Sequence, residues 1–107
     1  VSYRIRFEQR VLGDVENARA WYERRVVGLG DRLENEFYAA LEEIVGHPMA
    51  CSPYAAARQS GVRHYLLASF PYTVYFDVKR DVVRVLLLFH GARNPATLRR
   101  ELRRRMS

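Results

Sequence analysis

The sequence predicts an α+β fold, a helical hairpin packed on a small, mainly antiparallel sheet in the order β-α-α-β-β-β-α. Two helical stretches meet at Gly28-Leu29-Gly30. The texture changes after Pro48 to β-branched and aromatic runs, and the chain closes on an amphipathic segment studded with arginine. The 107 residues suit one domain, 1–107, in which 95–107 forms a basic C-terminal helix.

Val1 to Phe7 alternates, with Tyr3, Ile5 and Phe7 set against Arg4 and Arg6, as a half-buried strand does. From Val11 to Val27, Val11, Val15, Ala18 and Tyr22 recur at the spacing of one helix face, with Trp21 on its flank. The glycine pair stops this helix. Asp31 opens the next, with Glu34 placed three residues on as a capping-box partner. Leu33, Phe37, Leu41 and Ile44 form the buried face of that second helix, which ends at Gly46-His47-Pro48. The cluster of Trp21, Tyr22, Phe37 and Tyr38 is expected to fill the space between helices and sheet.

Met49 to Gly61 reads as a loop. Val62–Leu67, Tyr72–Val78 and Val82–Phe89 then read as strands, divided by Phe70-Pro71 and by the polar turn Lys79-Arg80-Asp81. The near-continuous apolar run from Val83 to Phe89 marks a central strand covered on both faces. Asn94-Pro95 supplies an N-cap and a first-turn proline for the last helix. That helix offers only Leu98, Leu102 and Met106 as an apolar stripe, so it is expected to dock loosely or to need a partner.

Composition narrows the function. No apolar run approaches the length of a membrane span, and no charged-then-apolar leader begins the sequence. A soluble, cytoplasmic protein is therefore expected. Cys51 is the one cysteine, with no partner for a disulfide or a Cys-x-x-Cys site, and neither a metal nor another cofactor is expected. The net charge is +6, and residues 93–107 hold six arginines against Glu101, so the excess is concentrated there. Seventeen of the 18 basic residues are arginine, which suits forked contacts to phosphate or carboxylate; a GC-rich genome would produce the same bias.

Three segments carry a resemblance. Ala20-Trp21-Tyr22-Glu23 with Gly28-Leu29-Gly30-Asp31-Arg32-Leu33, the stretch from Val62 to Phe76, and His90-Gly91-Ala92-Arg93-Asn94-Pro95 together resemble toxins of the RelE/ParE superfamily. The resemblance implies a type II toxin, a growth inhibitor held silent by a cognate antitoxin, ParD-like or similar. The Gly-Leu-Gly junction and the Phe-Pro-Tyr strand look more like the ParE side and its plasmid-stabilisation relatives, which implies a protein target such as DNA gyrase. A RelE-like messenger-RNA endonuclease acting on the ribosome, or an inactive relic that only binds its antitoxin, are the alternatives. Fold alone does not choose among them.

An RNA-cleaving site needs a proton carrier and cations for the developing phosphorane charge. Arg63, His90 and Arg93 would meet in one patch if their strands were neighbours, with Tyr72 or Tyr75 stacking on a base. Each also has a structural reading. Arg63 pairs with a carboxylate, His90 satisfies backbone groups in its turn, and Arg93 positions the last helix. The tail after Arg93 holds no tyrosine or histidine, unlike RelE-type nucleases. No catalytic residue is therefore assigned. Arg99, Arg100, Arg103 and Arg104 are the expected contacts to an acidic antitoxin or target.

Overall fold

In the computed structural model, which describes residues 2–106, three layers stack: a helical hairpin, a four-stranded sheet and a single helix. The strands are β1 (Arg4–Phe7), β2 (Arg63–Leu66), β3 (Tyr72–Lys79) and β4 (Val82–His90). The helices are α1 (Val11–Glu23), α2 (Leu29–Gly46) and α3 (Pro95–Met106). Spatial order is β1-β4-β3-β2, antiparallel except for β1, which lies parallel to β4. A parallel neighbour needs a long crossover, and here α1 and α2 provide part of it.

The hairpin layer buries the residues that periodicity selects. Val11, Val15 and Ala18 of α1 and Leu33, Phe37, Leu41 and Ile44 of α2 pack on Val74, Phe76, Val83, Val85 and Leu88. Helix α1 ends earlier than expected, at Glu23, and leaves Val26 and Val27 exposed. Helix α2 begins earlier, at Leu29, with Gly28 at φ 89° as its N-cap. The Asp31–Glu34 capping box therefore does not open it. Instead, Glu23 reaches across the turn and accepts hydrogen bonds from the backbone N–H groups of Gly28 (2.8 Å) and Gly30 (3.0 Å). Those bonds hold its carboxyl below the usual carboxylate range, against the opposing pull of desolvation.

At Gly30 the helices touch. A Cβ there would lie 2.3 Å from the carbonyl oxygen of Arg19, a backbone atom that cannot swing away. Gly30→Ala is expected to cost about 1–3 kcal/mol by forcing α1 and α2 apart, read as a lower urea midpoint at unchanged m-value. An unchanged midpoint would show that the hairpin adjusts freely.

β4 is covered on both sides, as its apolar run predicts, and it contains an irregularity that the run conceals. Tyr75 pairs with Leu87 but Phe76 with Val85, so Leu86 is an extra residue opposite β3. Side-chain parity reverses there. Val83, Val85 and Leu88 face the hairpin, whereas Leu86, Leu87 and Phe89 face α3.

Helix α3 is not loosely docked. Leu98 and Leu102 are buried against Val62, Tyr75, Leu86, Leu87 and Phe89, with Met106 packed at the edge. Arg105, on the same face, is 8% exposed. Its guanidinium donates to both carboxylate oxygens of Asp14 in α1, at 2.5 and 2.9 Å, and to the carbonyl of Leu86 at 3.0 Å. Asp14 in turn accepts the N–H of Leu88 at 3.1 Å. β1 has ended by this point, opposite Val85. Two side chains thus replace the missing strand at the edge of β4 and satisfy backbone groups that would otherwise be stranded. Burial disfavours the charge on Arg105, but Asp14, with Glu101 and Glu8, outweighs that and holds it above the ordinary arginine value. At its other end, Asn94 caps α3 by accepting the N–H of Ala96 at 2.7 Å.

Candidate functional site

Where β4 ends and β3 begins, α1 overhangs the sheet and leaves an open cavity of about 360 Å³. Its walls are Asn17, Trp21 and Tyr22 from α1, Tyr72 from β3, and His90 and Arg93 from the end of β4 and the turn after it. Helical spacing puts Asn17 and Trp21 one turn apart on the same flank. Strand pairing puts Tyr72 opposite His90. The rings meet edge to face: Trp21–Tyr22 at 4.8 Å, Tyr22–Tyr72 at 6.2 Å and Tyr72–His90 at 5.0 Å between centroids. Arg25 lies over the Trp21 ring, 3.2 Å from its centroid.

This arrangement divides the aromatic cluster read from the sequence. Tyr22 and Phe37 belong to the core, while Trp21 and Tyr38 are 43% and 44% exposed. Trp21 sits at the edge of α1, beyond the strip that the narrow sheet covers. It forms a wall of the cavity instead.

The structure brings His90 and Arg93 together and leaves Arg63 elsewhere. β3 lies between β2 and β4, so the strands that carry Arg63 and His90 are not neighbours. Arg63 pairs with Phe76, and His90 with Tyr72, four residues along β3. That is roughly 13 Å along the sheet, as well as two strand spacings of about 4.8 Å across it. Arg63 donates to the carbonyl of Cys51 at 2.6 Å rather than to a carboxylate, and so ties the loop after α2 to β2. His64 faces the other side, stacked on Tyr75 at 6.1 Å. The Nδ1 atom of His90 accepts the N–H of Ala92 at 3.0 Å, which ties the imidazole to its turn. Arg93 sits over the Phe89 ring, with Cζ 4.7 Å from the centroid.

Burial pushes the Tyr72 hydroxyl up, Tyr22 adds to this, and Arg93 opposes it, so the phenol stays protonated as a hydrogen-bond donor. Burial likewise pushes the Cys51 thiol up, away from nucleophilic thiolate. Among the described residues, no group of three His, Cys, Asp or Glu side chains could hold a metal ion. The cavity is an aromatic recess with a cation, Arg93, at its rim.

Arg99, Arg100, Arg103 and Arg104 are all exposed, on the side of α3 turned away from Leu98, Leu102 and Arg105. Arg104 bonds Glu101 at 2.5 Å, and Arg100 reaches Thr97 at 3.4 Å. Sequence reasoning missed Asn17 and the role of Trp21, and it also missed the Asp14–Arg105 pair. A signal for that pair was present. Arg105 continues the spacing of Leu98 and Leu102, and Asp14 adjoins the buried stripe of α1.

Residues 5–95 match a family model described as the ParE toxin of the type II toxin–antitoxin system parDE. The search of curated proteins found no match. Among solved structures, a chain of the "Chromosomal ParDE TA system from P. aeruginosa" superposes with a TM-score of 0.70. The match covers 83% of this chain and 96% of that one at 13% identity, a likeness of fold.

Proposed function

The chain belongs to the ParE toxin family, and from that premise we propose that it inhibits growth by binding a protein target, DNA gyrase being the foremost candidate, and is neutralised by a cognate ParD-like antitoxin. The observation that carries this reading is the adjacency of two complementary features. The recess of Trp21, Tyr22, Tyr72 and His90 opens beside Arg93, and α3 with its exposed arginines follows within two residues. Protein interfaces gain most of their affinity from buried aromatic and arginine anchors, and charge complementarity sets the rate of encounter. An acidic antitoxin segment would seat an apolar side chain in the recess and lay carboxylates along Arg99, Arg100, Arg103 and Arg104. The separation of Arg63 from His90 and Arg93 counts against the endonuclease reading, which needs those cations around one phosphate.

Induction in cells tests the target. Gyrase-dependent DNA breaks with intact messenger RNA are expected, and cleavage inside codons with undamaged DNA would overturn the proposal. For the antitoxin, Trp21→Ala is expected to weaken the complex by about 2 kcal/mol or more, roughly thirtyfold, in calorimetric titration against the product of the adjacent gene. Replacing the four α3 arginines with serine should chiefly slow association. Full affinity in both variants would place the interface elsewhere.

A further inference from the structure

The layers of this molecule carry opposite charge. Residues 11–46, the helical hairpin, hold eight acids against four arginines, a net of −4. The remainder holds 14 basic residues against four acids, a net of +10. Much of that charge is displayed on the face of the sheet that α3 only half covers. Helix α3 packs over Leu86, Leu87 and Phe89. The other half of that face presents Arg4 and Arg6 from β1, Arg84 from β4 and Lys79 from β3, because Tyr3 and Ile5 of β1 and Val83 and Val85 of β4 take the hairpin side.

Two arginines stand directly opposite one another here, Arg6 and Arg84 on neighbouring strands. Like charges in that relation destabilise a sheet. Asp77, the next residue across, neutralises Arg84 through bonds of 3.2 and 2.7 Å. Arg4 shares the exposed Asp81 at 3.3 Å. Arg6 and Lys79 have no carboxylate partner among the described residues, and both line a groove of about 560 Å³ that runs to Arg105 at the end of α3. The shelf and the arginines of α3 therefore lie on one side of the sheet.

We propose that this face binds the phosphodiester backbone of duplex nucleic acid, without reading its sequence. The choice of a nucleic acid over an acidic protein rests on what the face lacks. Among the described residues, every large exposed apolar side chain lies outside β3, β4 and α3. A protein partner needs clustered apolar anchors, and among the described residues that line this groove only Phe7 is a large exposed apolar side chain, whereas backbone contacts to DNA need only arginine and lysine at the spacing of phosphates. The acidic hairpin on the opposite side would orient the molecule with this face toward a polyanion. This inference does not depend on the toxin reading, although an antitoxin lying on α3 would compete for the same arginines.

Fluorescence anisotropy of the purified chain with a labelled 20-base-pair duplex tests it. Binding with a Kd of about 10⁻⁴ to 10⁻⁶ M at physiological salt is expected, equal for unrelated sequences and weakening linearly in log–log salt plots. Arg6→Gln with Lys79→Gln should reduce the salt slope by about two, and Arg99→Gln with Arg103→Gln should do the same. Arg24→Gln with Arg32→Gln changes net charge equally on the hairpin layer and should leave the slope unchanged. Equal binding of duplex RNA identifies the shared phosphodiester as the ligand. Three results would each overturn the proposal: no binding at 50 mM salt, an equal effect of the hairpin pair, or binding confined to one base sequence.

Discussion

A chain truncated after Pro95 is expected to lose its cooperative thermal transition. Deletion uncovers Tyr75, Leu86, Leu87 and Phe89 by removing Leu98 and Leu102, each of which contributes about 1.5–3 kcal/mol by burial. It also removes Arg105 and leaves the Asp14 carboxylate against the edge of β4 with no counter-ion, at a further cost of about 3–5 kcal/mol. Together these approach the whole stability of a small domain, about 5–15 kcal/mol. The number of apolar residues in α3 suggests the reverse, a helix dispensable for folding. Circular dichroism decides the matter. A truncated chain melting within a few degrees of the intact one would show that α3 is an accessory.

Asp14→Ala isolates the polar part of that effect. Arg105 would keep its place among buried neighbours, the bond to Leu86 and the 3.4 Å approach to Glu101, but lose both contacts to Asp14, and the Leu88 N–H would lose its acceptor. The expected loss is about 3–5 kcal/mol, which in a domain of this size lowers the melting temperature by more than about 12 °C. Asp14→Leu combined with Arg105→Met should recover most of the loss, since an apolar pair of similar volume leaves no isolated charge. A double variant no more stable than Asp14→Ala would show that the bonds to the edge of β4, rather than charge neutralisation, dominate.

Much of the fold was legible because periodicity reports burial. Val11, Val15, Ala18, Leu33, Phe37, Leu41 and Ile44 are buried as their spacing demands, and Asn94 caps α3 as its position before Pro95 implies. Three features were hidden for physical reasons. The bulge at Leu86 leaves no trace in a run where every residue is apolar, since a reversal of parity then exchanges one leucine for another. The start of α2 depends on Glu23, seven positions from Gly30, and no local capping pattern reports so distant a carboxylate. Arg105 is one of three consecutive arginines, and only its place on the face of Leu98 and Leu102 distinguishes it from its solvated neighbours. The candidate site was half legible. Tyr72, His90 and Arg93 were identified from strand ends, whereas Asn17 and Trp21 enter through the overhang of α1, a tertiary relation.

Asp14 and Arg105 are separated by 91 positions, which has a consequence for biosynthesis. During translation α1 emerges 91 positions ahead of the guanidinium that secures it. Until then the outer edge of β4 stays unfastened. A nascent copy is thus kept from its finished shape until synthesis has passed α3.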